Sequence, residues 1–228
     1  SPTDMIVSLA RSASASTSTS TARSAETRER ILSVAAEEFA ERGYAGTSIG
    51  GIAERAGVGK GLVQYYFKAK VDFALEIVQG AYDQSSFANI IGAAVPLRGL
   101  AAIVTSIRTV ARAFREDVRV RAAARLLREH DVIPATFPTP YVSWVAVIAQ
   151  CLIDAADDGD IPPRENLATE AWHLVANFYG VQEVSQRLTQ REDLPERIEE
   201  MLEREFTLLG VFEPGRFLAD PPGDIVQL

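Results

Sequence analysis

Apolar and polar residues recur with a helical period over most of the chain, and the first clear segment begins near Glu26. From there to Arg42, apolar residues fall on one face of a helix and charged residues cover the other faces. Gly43 follows at the position where a left-handed residue ends a helix. The spacing therefore predicts a first helix from about Glu26 to Arg42. Its apolar face consists of Ile31, Leu32, Ala35 and Phe39.

A short second helix is predicted directly after the first. Thr47 stands at its N-cap position, where a side-chain oxygen accepts a hydrogen bond from a free backbone N–H. Gly57 ends this helix within two turns, and a third helix begins near Gly59. The pattern therefore predicts two short helices joined by a tight turn. The buried edge of the second helix consists of Ile49, Ile52 and Ala53.

The third helix runs to about Phe67 and has two distinct faces. Val63 and Phe67 lie four positions apart and are predicted to pack inward. The outward stripe consists of Lys60, Gly61, Gln64 and Tyr65. In the major groove of DNA a lysine reaches guanine or phosphate, a glutamine pairs with adenine, and a glycine lets the backbone approach a thymine methyl. The stripe therefore predicts the recognition helix of a helix-turn-helix.

The glycines around Lys60 also suggest a phosphate-binding loop, but that pattern fails. A P-loop has Ser or Thr after its lysine and follows a strand. Here Gly61 follows the lysine, Glu54 takes the place of the first glycine, and the preceding segment is helical. We therefore expect neither a bound nucleotide nor another cofactor.

The rest of the chain is predicted to form six further helices, with neither strand alternation nor a sequence repeat. The fold class is therefore all-α. In the fifth of these helices, "ATEAWHLVANFYGVQEVSQRL" has apolar residues on more than one face, as expected when a second copy of the chain covers it. The approximate bounds of the six are 70–86, 97–114, 119–129, 140–157, 166–188 and 194–209.

Both ends of the chain are predicted to lack regular structure. Residues 1–23 are rich in Ser, Thr and Ala and have too few apolar side chains to offset the entropy of ordering, which predicts a disordered tail. Pro and Gly in "FEPGRFLADPPGD" cannot continue a helix, so residues 211–228 are predicted to be a loose C-terminal tail. No apolar run reaches the ~20 residues of a membrane span, and a single Cys fits the reducing cytoplasm.

Charge is distributed unevenly along the chain, whose formal net charge is −8. Residues 1–70 hold nine Lys or Arg and seven Asp or Glu, whereas residues 71–228 hold fourteen and twenty-four. All three lysines, Lys60, Lys68 and Lys70, lie within eleven residues. This distribution indicates a small, locally positive module on an acidic body, so the negative total does not exclude double-stranded DNA as a partner.

Residues 26–73, "ETRERILSVAAEEFAERGYAGTSIGGIAERAGVGKGLVQYYFKAKVDF", resemble the DNA-binding domain of TetR-family transcriptional regulators along their whole length. The resemblance implies a DNA-binding domain at residues 24–70 and a six-helix ligand-binding and dimerisation domain at residues 71–210. Gly59 and Gln64 depart from the residues usual in the family, which changes the operator sequence that is read. The implied DNA contacts are Thr27, Arg28, Thr47, Ser48, Lys60, Gly61, Gln64, Tyr65, Tyr66 and Lys70.

The stretch "PTPYVSW" resembles the γ-butyrolactone receptors, a TetR subfamily in which a proline-bearing loop opens a helix and a tryptophan one turn later lines the signal pocket. Trp144 occupies that position. An indole offers a flat apolar wall for a lactone ring and one N–H to orient it. Leu127 stands where related receptors have a Gln, which favours a mostly apolar lactone or butenolide over a carboxylated furan. The implied pocket residues are Trp144, Tyr141, Tyr82, Leu127, Ile148, Asn177, Phe178 and Val181.

Other chemistries find little support in the sequence. His130 and His173 are far apart, with no Cys or carboxylate at metal-ligand spacing, so we expect no metal site. The acidic run "DAADDGDIPPRE" lacks the third ligand of a calcium loop because Ala156 takes its place. Cys151 lies on an apolar helix and is predicted to be a core residue. We therefore expect no enzymatic activity.

The sequence thus predicts a homodimeric, ligand-responsive repressor that binds a pseudo-palindromic operator and is released by a small diffusible γ-butyrolactone or butenolide. Two alternatives stay open. One is a pseudo-receptor or drug-responsive regulator of the same fold, which responds to an antibiotic or its precursor. The other is a helical ligand-binding adaptor that does not bind DNA.

Overall fold

The computed structural model describes residues 2–85, 97–137 and 142–219, and within these ranges every regular element is a helix. The predicted all-α class is confirmed, and a 3-10 turn (His130–Val132) follows the sixth helix. The helices are α1 (Pro2–Gly46), α2 (Ile49–Ala56), α3 (Lys60–Tyr66), α4 (Lys70–Ser85), α5 (Gly99–Glu116), α6 (Val118–Arg128), α7 (Val142–Asp157), α8 (Leu167–Thr189), α9 (Leu194–Leu208) and α10 (Gly215–Leu218).

The chain divides into two compact units. The first consists of Ser1–Gln79 and Arg121–Phe137, and the second of Gly80–Val120 and Pro138–Leu228. Helices α4 and α6 each begin in one unit and end in the other. The C-terminal part of α6 therefore belongs with α1–α3, a grouping that differs from the predicted boundary near residue 70.

The apolar faces of α1–α4 build the core of the first unit. Val63 and Phe67 point into it as predicted, with 0% and 2% of their surfaces exposed. The Phe67 ring stacks on Phe73 of α4, with 3.9 Å between the ring centroids. The predicted apolar face of α1 is buried throughout, at Ile31, Leu32, Ala35 and Phe39.

Helix α1 differs from its predicted form at both ends. It begins at Pro2, where the composition predicts a disordered tail. After Pro2 the tract contains neither Gly nor Pro, so nothing in its backbone chemistry interrupts a helix that extends toward the N-terminus. At the other end Gly43 has φ 72° and ψ −178° and kinks the helix, which then continues to Gly46.

The N-cap of α2 is Ser48, so the assignment to Thr47 is wrong. Ser48 Oγ accepts a hydrogen bond from the Gly51 N–H at 3.0 Å. Thr47 is buried, and its hydroxyl donates to the Gly43 carbonyl at 2.8 Å. Both residue types cap helices well, and the kink at Gly43 decides between them because it presents a carbonyl to Thr47.

The end of α6 is tied to the kink in α1. Arg125 donates to the carbonyl of Glu41 at 2.9 Å and to Glu129 at 2.9 Å. Glu129 Oε2 also accepts the Tyr44 N–H at 2.7 Å. A Cβ added at Gly43 would lie 2.4 Å from Glu129 Oε1. Glycine is therefore required here both by its positive φ and by the close approach of this carboxylate.

In the second unit α5, α7, α8 and α9 pack around a common core. The predicted loose C-terminal tail contains the single turn α10, because Phe217 packs edge-on against Phe206 with 6.4 Å between the ring centroids. Among the described residues, no helix is long and apolar enough to cross a bilayer.

Candidate DNA-binding surface and signal-binding residues

Helices α2 and α3 form a helix-turn-helix. Gly57 ends α2 in the left-handed conformation (φ 66°, ψ 36°), and the N–H of Val58 reaches back to the Ala53 carbonyl at 3.0 Å. This arrangement satisfies carbonyls at the end of α2 and turns the chain sharply. Gly59 then begins α3 as an N-cap without a side-chain hydrogen bond. The predicted roles of Gly57 and Gly59 are confirmed.

The outward stripe of α3 is exposed as predicted. Lys60, Gly61, Gln64 and Tyr65 are all exposed, and Tyr65 keeps 68% of its surface accessible. A Cβ added at Gly61 would meet no atom within 4 Å. One cation, one amide and one aromatic side chain are thus presented together with a stretch of uncovered backbone. These are the residue types that read base edges in a major groove.

The residues implied to lie near phosphates are held by contacts within the first unit. The Thr27 hydroxyl donates to the Arg23 carbonyl at 2.9 Å. Lys70 Nζ donates to the Tyr44 carbonyl at 2.6 Å and lies 4.2 Å from the centroid of the Tyr44 ring. An ammonium has three donors, so Lys70 retains capacity for a further acceptor. Phosphate binding by these residues stays a prediction.

Tyr66 and Arg28 are also engaged. The Tyr66 hydroxyl lies 2.8 Å from Ser24 Oγ, and the Arg28 guanidinium forms a two-point pair with Glu76. This pair was not predicted, because its partners are 48 positions apart and no local pattern links them.

An ion-pair network joins α1 to α2. Arg55 contacts Glu37, Glu38 and Glu41 at 2.8 to 3.0 Å. Its hydrogen bond lowers the pKa of the Glu41 carboxyl. One guanidinium balances one of the three carboxylate charges, so the network joins the two helices without changing the net charge of the unit.

In the second unit Trp144 belongs to an aromatic cluster. Its ring meets Phe178 edge-on at 4.9 Å and Tyr179 at 5.5 Å between centroids. Phe114 of α5 lies 5.9 Å from Phe178. Trp144 is 7% exposed, and Ile148, one turn further along α7, is fully buried. The structure thus brings Trp144, Ile148 and Phe178 together, and adds Phe114 and Tyr179.

Of the remaining predicted pocket residues, one faces away from the aromatic cluster and two have side chains outside the described parts of the structure. Asn177 is exposed and donates to Glu205 at 2.5 Å, so it faces α9 and not the aromatic cluster. Val181 is half-buried, and Leu127 is half-buried in the first unit. Tyr141 and the side chain of Tyr82 are not among the described parts of the structure.

A buried arginine lies beside the aromatic cluster. Arg191 is 4% exposed, donates to Gln182 Oε1 at 2.8 Å, and holds its guanidinium 5.2 Å from the centroid of the Phe114 ring. No sequence pattern indicated this residue, because it follows the end of α8 with φ 67°. A buried cation over an aromatic face makes this end of the cluster polar.

Metal and thiol chemistry have little basis in this part of the molecule. Among residues 2–85, 97–137 and 142–219, no three His, Cys, Asp or Glu residues are grouped to hold a metal ion. Cys151 is buried, and burial raises the pKa of its thiol to about 11. The thiol is therefore protonated near neutral pH.

An all-α chain with an exposed stripe on the second helix of a helix-turn-helix has the architecture of a DNA-binding regulator. Comparison with known families agrees with this class. Residues 31–77 match "Bacterial regulatory proteins, tetR family", and residues 97–208 match "Tetracyclin repressor-like, C-terminal domain". The chain belongs to the TetR family.

Within that family the chain is similar to hormone receptors. It is 30% identical to the A-factor receptor protein of Streptomyces griseus over 180 residues, which is 79% of this chain and 62% of that relative's length. A structure described as the molecular basis for control of antibiotic production by bacterial hormones is 37% identical, with TM-score 0.71, covering 81% of this chain and 97% of the other. A γ-butyrolactone receptor (ArpA-like protein) is 26% identical, with TM-score 0.66 and coverage of 86% and 98%.

Proposed function

We propose that the protein is a homodimeric transcriptional repressor, acting in the cytoplasm, that binds a pseudo-palindromic operator and is released by a small γ-butyrolactone or butenolide. The observation that carries the proposal is the stripe of Lys60, Gly61, Gln64 and Tyr65. These four residues are exposed together on a helix that the turn at Gly57 presents outward.

An exposed apolar stripe on α8 supports a dimer. Its members recur every four residues, so each one lies next to the following one along the helix surface. Trp172, Val184 and Leu188 have 58%, 56% and 77% of their surfaces exposed. Ala176 and Gly180 lie between them and are also exposed. A second copy related by a two-fold axis would cover the stripe and present two α3 helices to successive major grooves.

The aromatic cluster supports a signal with a small apolar ring. Trp144 and Phe178 provide flat apolar surface, and the guanidinium of Arg191 supplies a polar group nearby. Two of the similar proteins are named as receptors for A-factor or γ-butyrolactone. Signal binding releases the operator only if the signal has different affinities for the DNA-bound and free conformations.

The proposal is tested by gel shift with DNA from upstream of the protein's own gene. Lys60→Ala should no longer shift the DNA, although size-exclusion chromatography still reports a dimer. The substitution removes one cation from the groove-facing stripe and leaves the dimer contacts unchanged. Arg112→Ala is the matched control, since it removes an exposed cation from the second unit. If Lys60→Ala binds as tightly as the wild type, α3 is not the recognition helix.

The signal site is tested by adding synthetic γ-butyrolactones to the shifted complex. Trp144→Ala should keep DNA binding and lose the response to the lactone. An unchanged response would remove Trp144 from the signal site. If an antibiotic releases the protein from DNA and no lactone does, the result favours the drug-responsive alternative. If the protein binds no DNA duplex, the result favours the adaptor.

A further inference from the structure

Arg28 is held by two contacts inside the first unit. Its Nη1 and Nη2 donate to the two carboxylate oxygens of Glu76 at 2.8 and 2.5 Å. Its Cζ lies 4.5 Å from the centroid of the Phe67 ring. A two-point pair between guanidinium and carboxylate fixes both the separation and the relative orientation of its partners. Arg28 therefore connects α1 to α4 and to the residue that ends α3.

Phe67 is the residue at which the recognition helix ends. It is the C-cap of α3, its N–H donates to the Val63 carbonyl at 2.9 Å, and its ring stacks on Phe73. The preceding residue, Tyr66, meets Ser24 of α1 through its hydroxyl at 2.8 Å. Two consecutive residues at the end of α3 are thus held by side chains of α1.

The Arg28–Glu76 pair presents little net charge to a phosphate. The carboxylate occupies one donor on each terminal nitrogen, and the two opposite charges cancel formally. A phosphate at Arg28 would have to compete with a carboxylate that is already in hydrogen-bond contact. By contrast, Arg30 is exposed two positions further along α1.

We propose that Arg28 and Glu76 are positioning residues for operator recognition, which hold α3 against α1 and α4, and that the charge of Arg28 does not itself bind phosphate. The inference rests on the proposed function, because it concerns how the same DNA-binding surface is oriented. It also makes Glu76 favourable for DNA binding, through the position of α3. If electrostatic repulsion alone mattered, removing this acidic residue would strengthen binding.

Two variants separate positioning from charge. Arg28→Lys keeps the cation but cannot form the two-point pair. Glu76→Gln removes a negative charge and leaves Arg28 without its carboxylate. Affinity is measured by fluorescence anisotropy at several salt concentrations, with a labelled duplex from upstream DNA that the wild type binds. Arg30→Gln is the matched control, because it reports the loss of one exposed charge from the same helix.

Positioning predicts that both variants weaken binding by up to about fivefold, because a partly exposed ion pair of this kind is worth about 1 kcal/mol or less. The slope of log affinity against log salt should stay at the wild-type value, because no phosphate contact is lost. Direct phosphate binding predicts instead that Arg28→Lys binds like the wild type, that Glu76→Gln binds more tightly, and that Arg28→Gln lowers the slope by about 0.9. That result would overturn the inference.

Circular dichroism at the assay temperature establishes that each variant is folded. A double variant, Arg28→Gln with Glu76→Gln, should bind no worse than either single Gln variant, since one pair accounts for both losses. Additive losses would contradict a shared role. Failure of the wild type to bind any upstream duplex is a separate result, which would contradict the proposed function itself.

Discussion

The substitution Gly61→Ala should change folding and DNA binding in opposite directions. Gly61 is the second residue of the seven-residue helix α3, and a Cβ there would meet no atom within 4 Å. In a helix, glycine costs about 0.8–1 kcal/mol relative to alanine, and less near a helix end. The free energy of unfolding should therefore rise by about 0.5 kcal/mol.

Operator affinity should fall in the same variant. In the proposed complex the α3 backbone at Gly61 lies close to a base, so an added methyl group meets a rigid partner. Crowding of this kind costs about 1–3 kcal/mol, which corresponds to a loss of at least about fivefold in affinity. Urea unfolding monitored by circular dichroism measures the first effect, and anisotropy with a labelled operator duplex measures the second.

Gly80→Ala is the matched control for this experiment. Gly80 is a helical residue of α4, and a Cβ there also meets no atom within 4 Å. It should gain stability like Gly61→Ala but keep full operator affinity. If Gly61→Ala binds the operator as tightly as the wild type, the backbone of α3 does not approach the bases and the docking that we propose is wrong.

Two further predictions concern stability and the thiol. Gly43→Ala should lower the free energy of unfolding in urea by about 1–3 kcal/mol, because its positive φ strains any side chain and its Cβ would meet Glu129. The control is Gly159→Ala, at φ 79° with open space around it, which should lower the free energy of unfolding by less. Equal losses in the two variants would exclude a role for the Glu129 carboxylate. Cys151, with its pKa raised to about 11, should react with iodoacetamide at pH 8 only after unfolding. Rapid alkylation of the folded protein would contradict the burial of Cys151. Because the native thiol keeps its proton while the unfolded thiol releases it, this residue should favour unfolding as pH rises from 9 to 11.

Local patterns were sufficient for helices α2–α9 and for the exposed stripe. The apolar period placed Ile31 and Phe39 in the core, and Gly57 marked the turn through a requirement for positive φ that is local in sequence. The choice between Thr47 and Ser48 as N-cap could not be made in this way, because both are good caps and the kink at Gly43 decides between them.

Contacts between distant residues explain the remaining differences. Arg28 and Glu76 are 48 positions apart, and Arg125 meets the carbonyls at the end of α1 across about 85 positions. Asn177 was predicted to line the pocket, but it faces Glu205 because the packing of α8 on α9 sets its direction. Such pairings depend on how helices pack, which periodicity within a single helix does not specify.

Repression that a lactone releases is tested most directly by a footprint of the wild-type protein on DNA upstream of its own gene, with and without a synthetic γ-butyrolactone. We predict two protected half-sites related by a pseudo-two-fold axis, with centres about one helical turn or a multiple of it apart, and loss of both when the lactone is added. Protection that persists at saturating lactone would contradict release by this class of signal. Absence of any protected site would contradict the claim that α3 reads DNA.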